Sequence, residues 1–198
     1  MKRIKNYSEE DLITIRNGGL IAFPTETVYG FGVIFDDKKA YDRLIEVKRR
    51  PPDKPFTLMC GKTSDIEKYA YINETAEKII NAFLPGELTI ILKGKEDLPS
   101  WVISKEGNVG IRVPNNKFIQ DLINDLGKPM LVPSANRSGE PPLNKAQEVA
   151  SIFENELDLL VEGEATSKVP STIVLVDNDV KILREGRISK EQILSVIK

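Results

Sequence analysis

Lys48-Arg49-Arg50-Pro51-Pro52-Asp53-Lys54-Pro55-Phe56-Thr57-Leu58-Met59 joins the end of one element to the start of another. Upstream, Ala40, Tyr41, Leu44 and Ile45 recur at helical spacing behind Asp36-Asp37, a pair suited to capping a helix. Lys48 is the next position on that apolar stripe, so it continues the core-facing side. Pro51 keeps Arg50 out of the α region, so the helix stops there and Arg50 leaves extended. Phe56 to Cys60 then reads as a short apolar strand. The macrodipole of a helix C-terminus favours cations and would by itself account for Lys48, Arg49, Arg50 and Lys54. The buried-side placement of Lys48 and the proline-stiffened bend point further, to an anion site on a pre-set backbone. Arg49 falls between the two inward positions and reads as solvated.

Working outward, Ser8 followed by Glu9, Glu10 and Asp11 caps a first helix that Gly18-Gly19 stops. Leu20 to Phe23 is a strand emptying into Thr25-Glu26-Thr27-Val28-Tyr29-Gly30-Phe31-Gly32, a polar, glycine-punctuated loop. Ser64 with Glu67 suggests a capping box for a short helix, and Asn73 precedes a helix over 74–83. Strands are expected over 88–93, 108–113, 130–133, 157–162, 171–176 and 180–184, with helices over 116–126 and 145–153. Ser189 and Gln192 cap a final helix. Helices and strands alternate before a strand-rich end. This pattern predicts an α/β fold with a twisted mixed sheet flanked by helices, and 1–198 reads as a single domain.

The totals narrow the chemistry. The chain has 198 residues, 40% hydrophobic and 29% charged, enough for a globular core, and its net charge is -2. No global positive field advertises nucleic acid, so a polyanion must be met by a local cluster. There is no histidine and one cysteine, Cys60, which removes His-based metal or acid/base chemistry and any internal disulfide. The first residues are charged without an apolar run behind them, unlike a secretory signal. No apolar run approaches the roughly 20 residues of a membrane span. A cytoplasmic location is therefore expected.

No Gly-x-x-x-x-Gly-Lys-Ser/Thr loop and no dinucleotide fingerprint is present. Ser134-Ala135-Asn136 lies in a second polar loop at a strand end, and without histidine Ser134 is a poor nucleophile. Arg112 interrupts an apolar strand on the face opposite Ile111 and Val113, where water is the simplest neighbour. Arg184 and Arg187 bracket Glu185-Gly186, a surface salt-bridge pattern. Taken together, cations and hydroxyls stand at the ends of several strands, where open α/β sheets bind ligands.

At this point the residues resemble a known family. Phe-Pro-Thr-Glu-Thr-Val-Tyr-Gly (23–30), Lys-x-Arg-Pro (48–51), Ile-Arg-Val-Pro (111–114), Pro-Ser-Ala-Asn-x-Ser-Gly (133–139), Ser-Thr-Ile-Val (171–174) and Leu-Arg-Glu-Gly (183–186) occur in the order of YrdC-type proteins. The resemblance implies a YrdC-like sheet with a basic concave face. It implies threonylcarbamoyl-AMP synthase activity, joining L-threonine, bicarbonate and ATP with Mg²⁺ and releasing pyrophosphate, for the t6A37 modification of tRNA. By motif match Lys48, Arg50, Ser134 and Asn136 would form the reacting centre. Thr25, Met59, Arg112 and Ser171 would hold threonine. Lys54, Asn108, Asn144 and Arg184, with Lys48, Arg50 and Asn136, would line the ATP site. The partners so implied are tRNA and the transferase that takes the adenylate; no membrane is implied. Two positions depart from the pattern: Lys54 replaces an asparagine, and Met59 a histidine that contacts threonine in part of the family. Phe-Thr-Leu-Met-Cys (56–60) is the wording of a YciO-like branch. A YciO-like nucleotide-binding paralogue of altered substrate, or a non-catalytic RNA-binding module, are the alternatives.

Overall fold

Ser8 and Asp11 cap each other. The Ser8 hydroxyl accepts from Asp11 N, and the Asp11 carboxylate accepts from Ser8 N at 2.9 Å. That reciprocal bond starts α1 (Glu9–Arg16), which follows the short strand β1 (Lys2–Ile4). β2 (Ile21–Pro24) and β3 (Tyr29–Ile34) follow as an antiparallel pair, and Asp37 then caps α2 (Lys38–Lys48). The computed structural model describes residues 1–51 and 54–198. Pro52 and Asp53 of the proline-bracketed bend lie outside the described residues.

β4 (Leu58–Met59) leads through a 3₁₀ turn (Thr63–Lys68) to α3 (Glu74–Phe83), then β5 (Leu88–Lys93) and β6 (Asn108–Arg112). α4 (Lys117–Leu126), β7 (Met130–Leu131), α5 (Ala146–Phe153), β8 (Leu159–Val161), β9 (Thr172–Val176), β10 (Val180–Arg184) and α6 (Lys190–Val196) complete the order. The strands form one mixed sheet in the order β1-β8-β2-β3-β7-β4-β6-β5-β9-β10. β4 runs parallel to β6, and β5 parallel to β9, while β5–β6 and β9–β10 are antiparallel.

The sheet's two faces are covered differently, and strand alternation shows where. One face carries Phe31, Ile90, Ile111 and Val174 against Leu44 of α2, Ile79 of α3, Phe153 of α5 and Ile193 of α6. The other face carries Ile21, Phe23 and Met130 against Ile15 of α1 and Ile119 and Leu122 of α4. On β5, β6 and β9 the residues of this second face are Thr89 and Ile91, Gly110 and Arg112, and Ile173 and Leu175. They belong to neither core cluster and line a cleft. A sheet is a binding floor where it lacks a packed helix. Among the described residues no helix is long and apolar enough to cross a membrane.

Four sequence expectations change. The loop over 25–32 is only a turn, because β3 begins at Tyr29 and pairs with β2 through Phe23↔Gly30 and Ile21↔Gly32. The strand over 56–60 is ordered as a ladder only at Leu58–Met59. Ser64 does not cap a helix: it lies inside the 3₁₀ turn, whose N-cap is Lys62 without a side-chain bond. β1, pairing with β8, had no counterpart in the sequence reading, since three residues with two cations show no alternation.

Candidate active site

The cleft measures about 510 Å³ and is walled by the turn after β2, the bend after α2, the loop after β7 and the segment before β9. Met59, Arg112, Thr89 and Ile173 cross its floor on neighbouring strands, as the pairings Met59↔Arg112 and Thr89↔Ile173 require. Arg50, Ser134, Asn108 and Arg184 also line it, as does one acid, Glu106.

Lys48 is 2% exposed at the end of α2, as its place on the apolar stripe demanded. Its Nζ donates to Ser134 O at 2.6 Å and to Asn136 Oδ1 at 2.8 Å. The Ser134 hydroxyl donates to the same Asn136 oxygen at 2.7 Å, and Asn136 Nδ2 donates to the Arg137 and Glu140 carbonyls. Asn136 thus gathers Lys48 and Ser134 on one oxygen while its amide nitrogen ties the loop to itself. Burial, and then the charge of Arg50, pull the Lys48 amine from its ordinary range down to about 7. The helix ends because Arg49 turns left-handed (φ 49°), and Arg49 is exposed. Arg50 then folds back over the bend. Its Nε donates to Lys54 O at 3.1 Å, its Nη2 to Pro55 O at 3.4 Å, and its guanidinium lies 4.9 Å from the Phe56 ring.

Arg112 does not face water. The turn over 25–28 closes on it, leaving it 6% exposed. Nη2 pairs with Glu26 Oε1 at 2.8 Å, Nη1 donates to Thr27 Oγ1 at 3.0 Å and Nε to Gly86 O at 3.2 Å. These bonds fix the fork without using all of its five N–H donors, so the guanidinium can still receive an anion from the cleft. Glu26 Oε1 also accepts from Asn115 N at 2.9 Å, while Glu26 Oε2 is buried with no hydrogen-bond partner among the described residues.

Ser171 and Thr89 form a buried hydroxyl pair at 3.0 Å beside Arg112. Arg184 Nε and Nη2 donate to Ser171 O at 3.0 and 2.8 Å, so Arg184 braces this wall instead of forming a surface salt bridge. Burial, then the charge of Arg112, lower its guanidinium's pKa. Arg187 does pair at the surface, with Glu87.

Five expected residues do not line the cleft: Lys48 and Asn136 are buried behind Ser134, to which both are bonded, and Thr25, Lys54 and Asn144 are placed elsewhere. Thr25 is buried inside the turn, its hydroxyl donating to Val28 O at 2.7 Å and accepting from Thr27 N, and Thr27 takes the cleft-lining position. Lys54 is exposed and gives the site its carbonyl, not its ammonium. Asn144 stands outside the cleft wall, with its Oδ1 buried and unpartnered among the described residues. The sequence reading missed Thr27, Glu26 and Thr89. The alternation Thr89, Ile91 against Leu88, Ile90, Leu92 was the available signal for Thr89.

A family model, Sua5_yciO_yrdC, described as "Telomere recombination", matches residues 14–186. The chain belongs to this Sua5/YciO/YrdC family. It is 33% identical over 175 residues to the uncharacterized protein YciO of Escherichia coli K12, covering 87% of this chain and 85% of that protein. It is 36% identical over 186 residues to the threonylcarbamoyl-AMP synthase of Pyrococcus abyssi, covering 92% of this chain and 55% of that protein. The chain thus spans about half the length of that synthase. The crystal structure of P. abyssi Sua5 complexed with L-threonine superposes with a TM-score of 0.92 at 32% identity, over 100% of this chain and 61% of that one. An enzyme of the Sua5 kind and the mixed α/β fold are both supported by this kinship.

Proposed function

We propose that the chain is a threonylcarbamoyl-AMP synthase, making threonylcarbamoyl-adenylate and pyrophosphate from L-threonine, bicarbonate and ATP for tRNA t6A37 modification. The observation that carries this reading is one cleft holding two complementary ends. Arg112 with Thr27 offers a fixed fork for a carboxylate, and Arg50 and Ser134 on the cleft wall, with buried Lys48 and Asn136 bonded behind Ser134, offer cations and a hydroxyl for phosphate. The hydroxyl pair Thr89–Ser171 lies one strand from Arg112, a spacing of about 5 Å that suits the β-hydroxyl of an α-amino acid whose carboxylate sits on Arg112.

In this scheme the threonine nitrogen takes up the carboxyl group of bicarbonate with loss of water. A carbamate oxygen then attacks the α-phosphorus of ATP. The bond from that phosphorus to the β-bridging oxygen breaks, and pyrophosphate leaves with the electron pair. An anion attacks a polyanion, so the chief barrier is charge, which Lys48 and Arg50 offset while holding the reactants in line. Histidine has no necessary part. Among the described residues no group of three or more acidic, Cys or His side chains could hold a metal, and Glu106 is the one acid lining the cleft. Magnesium, brought in with the nucleotide, would supply further charge neutralisation at the phosphates.

One observation favours a second reading, a YciO-like enzyme with another amino acid. Met59, buried on the floor against Arg112, presents a thioether where a polar contact would sharpen threonine recognition. Pyrophosphate release decides between them: it should require threonine and bicarbonate together. Release that persists when threonine is withheld defeats the synthase assignment, and release restored by a different amino acid selects the second reading.

A further inference from the structure

Arg137 has no part in the proposed reaction, although its side chain is only 13% exposed and its guanidinium donates to both the Val47 carbonyl and the Glu156 carboxylate. Its Nη1 donates to the Val47 carbonyl and to Glu156 Oε2 at 2.8 Å, and its Nη2 pairs with Glu156 Oε1. The next residue donates from Ser138 N to the Lys48 carbonyl at 2.8 Å. These two carbonyls belong to the last turn of α2. In a continued helix they would take the N–H groups of residues 51 and 52, and both are prolines with none to give. The loop after β7 thus supplies, from Arg137 and Ser138, the two donors that Pro51 and Pro52 withhold.

The same loop carries Asn136, whose oxygen receives the Lys48 ammonium, so α2 and the loop are joined at both backbone and side chain. Behind this joint lies an aromatic stack. The Arg137 guanidinium is 4.5 Å from the Phe153 ring, Phe153 meets Phe31 edge-to-face at 4.9 Å, and Phe31 lies 6.0 Å beneath Lys48 Nζ. Arg137 is therefore tied to Lys48 through three routes: the α2 carbonyl, the Asn136 loop and the Phe153–Phe31 pair.

We propose that Arg137, clamped by Glu156, is a positioning residue for Lys48, holding the last turn of α2 and the Ser134–Asn136 loop in one fixed relation so that the Lys48 amine stays buried on Asn136. Only the kinetic readout rests on the synthase reading; the placement of Lys48 does not.

The test uses full-length protein labelled with ¹⁵N-lysine, with the Lys48 signal assigned by its loss in Lys48→Arg and followed against pH. Wild type should titrate near 7, the range that burial and then Arg50 impose, with Arg137, Glu156 and Glu140 the other charges around the clamp. In Arg137→Met, water gains access and the midpoint should move up by about a unit or more. Arg137→Lys, keeping one donor for Val47 O, should restore part of the difference. Arg3→Met, which loses a two-point ion pair with Glu162 where β1 meets β8, should leave the midpoint in place. Where wild type is active, kcat of Arg137→Met should fall about 10- to 100-fold with the threonine KM held, as for a misplaced reacting group. A Lys48 midpoint that does not move in Arg137→Met overturns the proposal and reduces Arg137 to a structural strap. If Arg137→Met does not fold, Glu156→Gln loosens the same clamp and is judged by the same midpoint. Wild-type inactivity with the midpoint moved in Arg137→Met would sink the synthase reading and leave the clamp standing.

Discussion

Replacing Lys48 by Met keeps an unbranched side chain in a buried slot and removes one amine, which makes the cost of that amine measurable. The amine's ordinary pKa is 10.5, and in the folded protein burial and then Arg50 lower it to about 7. Between those two values the unfolded chain holds a proton that the folded chain has released. Wild-type stability must therefore rise with pH across this window and fall as pH drops toward 7. The full slope is about 1.4 kcal/mol per pH unit. At pH 7 half of the folded molecules still carry the proton, so the expected gain from pH 7 to 9 is about 2 kcal/mol. Lys48→Met lacks this term while the other titrations cancel in the comparison. Urea unfolding of both proteins at pH 7, 8 and 9 should show wild type gaining about 2 kcal/mol relative to Lys48→Met as pH rises. Parallel stability curves would refute the burial argument.

Thr89→Val removes a buried hydroxyl from the cleft floor and keeps its shape, so the preference for threonine over 2-aminobutyrate in kcat/KM should fall about 10- to 100-fold. An unchanged ratio would show that the hydroxyl pair does not read the substrate. Tyr29 is buried and its hydroxyl donates to Val161 O at 2.7 Å, with Gly163 O at 3.1 Å, so Tyr29→Phe should cost about 1–3 kcal/mol in urea unfolding. Cys60 is buried with its thiol pushed up to about 12, so native protein at pH 8 should resist a thiol reagent that labels it fully in urea. Rapid labelling without denaturant would contradict that placement.

What the sequence disclosed followed from local chemistry. The helix Glu74–Phe83 was legible because Asn73 caps it, accepting from Ala76 N at 2.8 Å, and the strand Leu88–Lys93 because a short apolar run is bounded by Gly86 and Gly94. Lys48 was legible as an inward cation from helical spacing alone. β3 was hidden by Gly30 and Gly32, which look like turn punctuation and are there for close packing. A Cβ at Gly32 would lie 2.6 Å from Met130 Cε, and one at Gly30 would lie 2.8 Å from Val132 Cγ1. Thr25 and Thr27 could not be told apart, because which hydroxyl closes the turn and which meets Arg112 depends on a strand 85 residues away. The role of Glu26 and the contact between Thr89 and Ser171 were hidden for the same reason: their partners are set by sheet order, not by neighbours in the chain.

In the proposed function one cleft joins an amino acid, bicarbonate and ATP. Incubating the protein with ATP, threonine and ¹⁴C-bicarbonate and separating the adenylates tests it most directly. Label should appear in an adenylate that contains threonine, formed in step with pyrophosphate and lost in Lys48→Met and Arg112→Ala. Pyrophosphate released without label entering any adenylate would contradict it.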